Sequence, residues 1–553
     1  MTTVSKTYLD ERHLTSKSFV LFLTNNKPLL FISIATIFIV FGVKLTNICF
    51  GIDSELHIVS ARYLNWMEIG RFGLVGLQKI WTNSLPNQEL FNPCLAVFFG
   101  CTFLLFGSLL WCFVIDLFSN NSIKKICYIP FAVLFISHQV WVEQIYFVCQ
   151  SAECLFIVLL SPVSVYLLFK GTCTGSLRKI ISGLILAVFC VSVYQGGIML
   201  ICCGIFAMFL LFKENSNLET KDYTKICLTL LLLMLGIALI YAILNKGVQF
   251  VFNIEKSEYL FSIIGGEEQP LFSKVLHTVL YFYNLLLSDC MPLNKLVKMV
   301  VAKVARTGMR AAENNVSPSL TANFIYAPAS IVFYIQIFKN KKKSFLYIMS
   351  AISIILCVIV LPVLGGGSAP LRSQYCLPFS FSFILMYVAN SLSYFKRQIV
   401  FYTCFLLFAF CSAKQTLLSS MLNYSDVMRY KSDCRLASEI TERIGNVSAS
   451  TEIPVFFYGV HHPQFSNNYI KGEICGYSPF EWVTDKSFFD CTVRAVVFLK
   501  SQGYNYLPVK DKSVAQKARM EAENMPDFPA QGCVKNLGDV IVVRLSETLY
   551  KAE

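Results

Sequence analysis

Long apolar runs alternate with short polar segments along most of the chain. A helix that crosses the hydrocarbon core of a bilayer needs about 20 mostly apolar residues. The runs that meet or approach this length cover residues 29–48, 94–116, 126–140, 152–169, 180–195, 197–212, 226–244, 321–338, 344–363, 376–394 and 399–419. This pattern predicts a mainly helical, polytopic membrane protein with about 11 transmembrane helices.

The polar loops differ in charge, and this difference predicts an orientation. The N-terminal tail and every second loop are short and rich in Lys and Arg, as in residues 170–179 and 339–343. Basic loops favour the cytoplasmic side of a membrane. The tail 1–28 is therefore predicted to be cytoplasmic. An odd number of crossings then places two long loops, about 49–93 and 245–320, and the residues after 420 on the outer side.

The chain changes character after residue 420, where charged residues and Pro return. The segment 436–444 has helical spacing, whereas residues 454–460, 494–499 and 540–545 have the Val- and Phe-rich composition of short strands. We predict a transmembrane domain at 29–420 and a small extracytoplasmic α/β or α+β domain at 421–553.

Composition supports the membrane assignment. The chain is 55% hydrophobic and 15% charged, against about 25% charged residues in soluble domains. The net charge of +13 lies in the loops, so we expect contact with membrane lipids and no nucleic-acid partner. Most cysteines lie within apolar runs. Four cysteines of the tail could form two disulfides outside the cytoplasm or stay free and buried: Cys434, Cys475, Cys491 and Cys533.

Two carboxylates follow the first apolar run. Asp53 and Glu55 stand two positions apart, so in an extended segment they share a face. The pair could bind a cation, or one acid could act as a general base while the other orients a substrate. Alternatively, Asp53 and Ser54 cap a helix. The spacing alone leaves these interpretations open.

An amphipathic helix is predicted after the two acids, because apolar and aromatic residues between 56 and 70 recur every three or four positions. Arg62 and Arg71 flank it, and they could bind a phosphate bidentately or anchor the helix at the interface. A basic helix at 293–312 is expected to lie on anionic lipid. Arg372 follows the glycines 365–367; it could close on a phosphate or snorkel as an anchor.

Polar residues also interrupt the apolar pattern at two further turns on the predicted outer side. Glu143 and Gln144 lie at one of them, and Glu153 follows near the start of the next helix. An ionisable residue at membrane depth is costly and is therefore a functional candidate. Tyr194 and Gln195 precede two glycines that also suit an ordinary tight turn. No metal site is predicted, since the one His pair lacks further ligands at metal-binding spacing.

In layout, these features resemble the Gtr-type glucosyltransferases that decorate O-antigen, the glucosyltransferase II family of the GT-C class. The matching positions are Asp53, Glu55, Arg62, Trp66, Arg71, Tyr194, Gln195, Arg372 and the helix 433–444. The first loop departs from the family pattern, because Glu55 stands two residues from Asp53 and Arg62 follows later. This departure leaves open which acid is the base.

The resemblance implies a polyprenyl-phosphate-linked sugar, such as glucose, as donor and a lipid-linked or surface polysaccharide as acceptor. It implies inversion at the anomeric carbon and a place in the bacterial inner membrane. No cofactor would be required, although a divalent metal is compatible with the pattern. A donor-synthesising glycosyltransferase and a small flippase would be partners.

The resemblance also implies roles for the candidate residues. Asp53 would be the general base, and Glu55 would orient the acceptor or assist. Arginines would stabilise the leaving phosphate: Arg62, Arg71 and Arg372. The sugar pocket would be lined by Glu143, Gln144, Tyr194 and Gln195.

Two other functions fit a polytopic protein with long outer loops. A glycan polymerase of the O-antigen type would join whole repeat units, and a flippase or transporter would move lipid-linked sugars without chemistry. Transporters tend to show paired half-repeats, which this sequence lacks.

Overall fold

The computed structural model of the protein describes residues 13–60, 64–83, 93–120, 122–216, 219–254, 278, 323–340, 344–365, 369–393, 398–463, 470–483 and 489–546. In this part of the chain the helices are α1 Ser16–Asn25, α2 Lys27–Thr46, α3 Ser54–Ser60, α4 Leu64–Glu68, α5 Phe72–Asn83, α6 Pro93–Ser119, α7 Tyr128–Ile136, α8 Gln139–Tyr146, α9 Val148–Thr174, α10 Leu177–Val193, α11 Gly197–Asn215, α12 Thr220–Val251, α13 Asn323–Lys339, α14 Phe345–Leu364, α15 Cys376–Leu392, α16 Gln398–Val447, α17 Thr492–Ser501 and α18 Lys512–Ala522. Short 3-10 helices lie at Lys125–Cys127 and Leu371–Ser373.

Each apolar run predicted to span the membrane coincides with helical structure. Among the described residues, 8 helical segments are long and apolar enough to cross a membrane: Lys27–Thr46, Pro93–Ser119, Lys125–Tyr146, Val148–Thr174, Gly197–Asn215, Thr220–Val251, Phe345–Leu364 and Tyr402–Val447. Two shorter apolar helices are Ile325–Lys339 and Cys376–Leu392. The mainly helical, polytopic fold is thereby confirmed, while the count of about 11 crossings stays a prediction.

The surface of the bundle is apolar where a membrane would surround it. On α12, for example, Leu232, Leu235 and Leu239 are all exposed. Contiguous apolar surface of this kind is rare on soluble monomers and is typical of lipid contact.

The third predicted span contains a break. Helix α7 ends at Ile136, and α8 begins at Gln139. The His138 side chain caps α8 by accepting a hydrogen bond from the Val140 N–H at 3.3 Å. Because every residue of α8 is buried, its polar side chains lie inside the protein and must find partners there.

The loops that carry the same predicted orientation meet at the same end of the bundle. At one end, Lys124 donates from Nζ to the Ser393 carbonyl at 2.7 Å. At the other end, Tyr194 stacks on Tyr375 with ring centroids 5.2 Å apart. The grouping of the loops therefore agrees with the charge pattern, and the side that each end faces stays a prediction.

The last membrane helix continues into the tail. Helix α16 has 50 residues and passes through residue 420, so the predicted boundary at 420–421 lies inside one continuous helix. The predicted helix 436–444 forms its final turns. The extent of the tail domain as an independent unit stays a prediction.

The tail carries a small sheet of three strands, β1 Val455–Tyr458, β2 Val534–Asn536 and β3 Ile541–Arg544. The strand order is β1-β3-β2, with β1 parallel and β2 antiparallel to β3. The strands predicted at 454–460 and 540–545 are confirmed, and β2 was not predicted. The strands belong to an α+β arrangement in which α17 and α18 pack against the sheet.

The strand predicted at 494–499 is wrong, because this segment lies in helix α17. Its buried side chains are Thr492, Ala495, Val496, Phe498 and Leu499. These positions recur every three or four residues and form one helical face. The Val and Phe residues that favoured a strand prediction pack in the interior as part of this helix.

The four tail cysteines that could have formed two disulfides are free thiols, three of them buried. Cys491, for example, donates from Sγ to the Gly459 carbonyl at 3.4 Å. They therefore act as small apolar groups in the packing of the tail.

A cluster of four buried charges joins α2 to α16. Lys44 donates from Nζ to Asp426 at 2.5 Å, and Arg429 binds Asp426 at 2.7 Å and Asp433 at 2.9 Å. Asp433 also accepts a hydrogen bond of 2.6 Å from Ser478 Oγ in the tail. We call Lys44, Asp426, Arg429 and Asp433 the buried charge cluster.

Candidate active site

The turn between α2 and α3 places the two predicted acids. Gly51 packs against the Tyr146 ring so closely that a Cβ would lie 2.1 Å from it, and the Ile52 N–H donates to the Tyr146 hydroxyl at 3.2 Å. Asp53 then adopts a positive φ of 69°, a conformation that Asp tolerates better than most residues. The next residue begins α3.

The structure brings both acids to one guanidinium of the tail. Arg494 on α17 donates from Nη2 to Asp53 Oδ1 at 2.7 Å and from Nη1 to Glu55 Oε1 at 2.8 Å. The Asp53 side chain is 38% exposed, whereas the Glu55 side chain is 0% exposed. The Asp53 backbone does start α3, because its carbonyl accepts from the His57 N–H at 3.1 Å, but its side chain serves Arg494 instead of a cap.

This group, which we call the acid pair site, holds more negative charge than the guanidinium neutralises. Burial raises the pKa of Glu55 to about 7, since the counter-charge of Arg494 only partly offsets desolvation and Asp53 adds repulsion. Burial alone would lower the pKa of Arg494, but the two carboxylates hold it above its usual value. Glu55 Oε2 is buried without a hydrogen-bond partner among the described residues, whereas the Ser54 side chain lies against the Cys149 thiol. Such unsatisfied atoms are uncommon and cost free energy unless a ligand or water meets them.

The start of α9 links the acid pair site to a second group of predicted residues. Cys149 lies within electrostatic range of Asp53, Glu55 and Glu153. The next residue, Gln150, accepts a hydrogen bond of 2.8 Å from Arg71 Nη1. Two adjacent residues of one helix therefore face the acids and the arginine.

Arg71 lies among aromatic rings. Its guanidinium is 4.4 Å from the centroid of the Tyr194 ring and 5.2 Å from that of Trp66. The buried Arg71 Nε has no hydrogen-bond partner among the described residues. Gln195 donates from Nε2 to the Ile69 carbonyl at 2.7 Å. The structure thus brings Arg71, Tyr194 and Gln195 together.

The predicted amphipathic helix after the acids is described as α3 and α4, followed by a turn at Gly70, where φ is 80°. Arg62 and the basic helix predicted at 293–312 lie outside the described residues, as do the glycines 366 and 367 of the predicted hinge.

Glu143 and Arg372 meet a different part of the tail. The Glu143 carboxylate accepts from the Ile474 N–H at 3.2 Å and from the Cys475 N–H at 3.1 Å. Glu473 accepts from the Leu371 N–H at 2.5 Å, and burial raises its pKa although the nearby Arg372 charge opposes this. The Arg372 guanidinium also lies 4.8 Å from the Phe147 ring centroid. These contacts hold the tail on the bundle.

Gln144 differs from its neighbour Glu143. Both of its amide atoms are buried without a hydrogen-bond partner among the described residues. A buried amide of this kind is suited to meet the hydroxyl groups of a ligand. The predicted roles of Glu143 and Gln144 in a sugar pocket stay predictions.

Sequence reasoning missed Arg494. The available signal was a single arginine within the apolar segment 493–499, but the strand prediction hid its helical setting. The residues it binds lie 439 and 441 positions away. Within the described part of the chain, no three His, Cys, Asp or Glu side chains are grouped to hold a metal ion.

Fold and site together define a polytopic membrane protein with a partly exposed acid, a buried acid and a shared arginine at one end of its helix bundle. A family model described as "Glucosyl transferase GtrII" matches residues 42–412. The chain belongs to this family and is a membrane glycosyltransferase, so the resemblance seen in the sequence is confirmed. No curated protein and no solved structure matches the chain. Arg494 lies beyond the matched residues.

Proposed function

We propose that the protein transfers a sugar from a polyprenyl-phosphate donor to a cell-surface glycan such as O-antigen. We propose glucose as this sugar. The reaction would take place on the outer side of the bacterial inner membrane. One observation carries the proposal: Asp53 and Glu55 share Arg494 at the end of the bundle where the predicted outer loops meet. The family supplies the glucosyl chemistry, and the bundle suits a donor with a lipid tail.

In the proposed mechanism Asp53 is the general base, because its side chain is the more exposed of the two. Asp53 removes the proton from the acceptor hydroxyl as the hydroxyl oxygen attacks the anomeric carbon. The bond from that carbon to the phosphate oxygen breaks, and polyprenyl phosphate leaves with the bonding electrons. Attack from the face opposite the leaving group inverts the anomeric configuration.

The leaving phosphate needs positive charge, and Arg71 is better placed than Arg372 to supply it. Arg71 Nε has no hydrogen-bond partner in the part of the chain that the structure describes, and Arg71 lies beside the start of α9, which also faces the acids. Arg372 already has the Glu473 carboxylate nearby. A guanidinium donor aimed at the developing charge is the kind of group that stabilises such a transition state. Tyr194, Gln195 and Gln144 would contact the sugar.

The donor class can be tested with membranes from cells that express the full chain. We expect these membranes to transfer radiolabel to glycan from polyprenyl-phosphate [14C]glucose and not from a nucleotide-activated [14C]glucose. Membranes without the chain are the control. Equal transfer in both membranes, or transfer from the nucleotide sugar alone, would contradict the proposal.

The alternative functions give different glycans in a strain that lacks the chain. Mass spectrometry of the surface polysaccharide should show a missing side-branch hexose if the protein is the transferase. Chains of one repeat unit would indicate a polymerase, and loss of all outer glycan would indicate a flippase.

The proposed orientation is tested by labelling. Lys512 is exposed at the start of α18, so the variant Lys512→Cys should react with a membrane-impermeant maleimide in intact spheroplasts. Labelling only after the membrane is opened would place the tail in the cytoplasm and remove the proposed outer-face reaction.

A further inference from the structure

We infer that Arg494 is a positioning residue of the transfer reaction, so that the tail domain completes the active site of the membrane domain. This inference rests on the proposed function and deepens it. It concerns a residue beyond the range that the family model matches, on a helix that the sequence pattern did not predict.

The geometry of the contact is specific to arginine. Two different nitrogens of one planar guanidinium reach two carboxylates, at 2.7 Å for Asp53 and 2.8 Å for Glu55. A planar fork fixes the separation and the orientation of the groups it binds, whereas a lysine ammonium acts as a point charge. Arg494 therefore fixes the orientation of the Asp53 carboxylate.

Arg494 stands on a well-anchored element. At the start of α17, Thr492 Oγ1 accepts from the Phe457 N–H of β1 at 2.9 Å. Further along, the Phe498 ring packs 6.0 Å from Phe50, the residue three positions before Asp53, and 6.0 Å from Tyr430 of α16. The helix is held from the sheet, from the turn after α2 and from α16, as a positioning group requires.

The charged and titratable groups near Glu55 lie on or next to three helices. Asp53 precedes α3, and His57 lies on α3, where burial lowers its pKa. Cys149 on α9 lies within electrostatic range of both Glu55 and Glu153, and Arg494 lies on α17. Arg494 is the cation of this set, and it opposes the effect of burial on the Glu55 pKa. Its removal should therefore raise that pKa further.

The experiment uses the full chain in membranes with polyprenyl-phosphate [14C]glucose as the probe. Arg494→Lys should lower kcat on the order of 100-fold, the loss that misplacement of reacting groups by about 1 Å produces, with KM for the donor within about twofold. Arg494→Gln should lower kcat further and move the acidic limb of the pH–rate profile to higher pH.

The matched controls are Arg519→Lys and Arg519→Gln. Arg519 lies in the same domain, has nearly the same exposure, and binds one carboxylate, Asp490, at 2.7 Å. These variants should retain the wild-type kcat and the wild-type pH limb when rates are expressed per folded molecule. A generally weakened tail would instead impair both sets of variants.

The double variant Glu55→Gln with Arg494→Gln protects the test against misfolding, because it leaves no buried unpaired charge. We expect it to accumulate like wild type and to remain impaired. Wild-type rates in Arg494→Lys, or in the double variant, would overturn the inference. If the wild-type chain itself fails to use the lipid donor, the proposed function fails first and the inference falls with it.

Discussion

Two groups of buried charge join distant parts of this chain, and they differ in how fully they are satisfied. In the buried charge cluster, two cations face two anions, and no side chain is more than 1% exposed. Asp426 accepts from Lys44 on one oxygen and from Arg429 on the other. Because its charges are balanced and its side chains are buried, the buried charge cluster is not suited to bind a substrate.

The acid pair site is neither balanced nor closed. Two carboxylates face one guanidinium, Asp53 is partly open to solvent, and one oxygen of Glu55 has no partner among the described residues. Incomplete satisfaction of buried polar groups costs stability and is typical of sites where chemistry occurs. We therefore propose that the buried charge cluster stabilises the fold and that the acid pair site carries out the transfer reaction.

The largest expected effect is that of Asp53→Asn. Loss of a general base lowers rates by about 10²- to 10⁴-fold. Asn also tolerates the positive φ at this position, so the variant should fold. Transfer from the lipid donor is measured per folded molecule, with Asp539→Asn as the control, since Asp539 forms only a surface pair with Lys517. Full activity of Asp53→Asn would reject Asp53 as the base.

Substitutions in the buried charge cluster should lower the stability of the protein. Asp426→Asn leaves Lys44 and Arg429 buried without their shared anion, and such a loss costs about 3–5 kcal/mol. We expect less folded protein and a lower temperature of thermal inactivation, with an unchanged rate per folded molecule. Glu439→Gln, at an exposed position of the same helix, is the control. A variant that is stable but inactive would move Asp426 into the catalytic group.

The acid pair site should make the transfer rate depend on pH. Because the pKa of Glu55 is raised to about 7, its carboxyl gains a proton as the pH falls below this value, and its ion pair with Arg494 is lost. The rate should then fall by up to about tenfold per pH unit. In Glu55→Gln the rate should be lower, and this limb should disappear from the profile. An unchanged limb in the variant would show that another group titrates.

The smallest expected effect comes from disturbing the contact between Glu143 and the tail. This change tests whether the contact stabilises the fold or serves the reaction. A Cβ on Gly472 would lie 2.1 Å from Glu143 Oε1, so Gly472→Ala must displace either the Glu143 carboxylate or the loop, at a cost of about 1–3 kcal/mol. Gly445→Ala is the control, because nothing lies within 4 Å of its Cβ position. If Gly472→Ala loses stability but keeps a normal rate, Glu143 has a structural role like that of the buried charge cluster. A reduced rate would instead assign Glu143 to the sugar site.

The sequence alone could predict what depends on local pattern. Apolar length located the membrane helices, and the position of Asp53 and Glu55 after the first helix located the acids. Helix α17 was misjudged because Val496 and Phe498 suit a strand as well as a helix, and only their spacing from Ala495 and Leu499 distinguishes the two. The local pattern also could not show that α16 is continuous through the predicted boundary.

The partners of the acids could not be predicted at all from local pattern. Arg494 is separated from Glu55 by 439 residues, and a single sequence carries no signal that pairs such distant positions. The same holds for Lys44 and Asp426, which lie 382 residues apart. Long-range ion pairs are set by how the helices pack, and packing follows from the whole chain.

The separation of Asp53 and Glu55 from Arg494 also sets an order of events during synthesis. A ribosome that adds about 5–20 residues per second needs roughly 20–90 s to reach Arg494 after it has made Glu55, since 439 residues separate them. Throughout that interval the nascent protein carries both carboxylates without their counter-ion. A chain that terminates early never acquires it, so the proposed role of Arg494 predicts that unfinished translation products are impaired in sugar transfer.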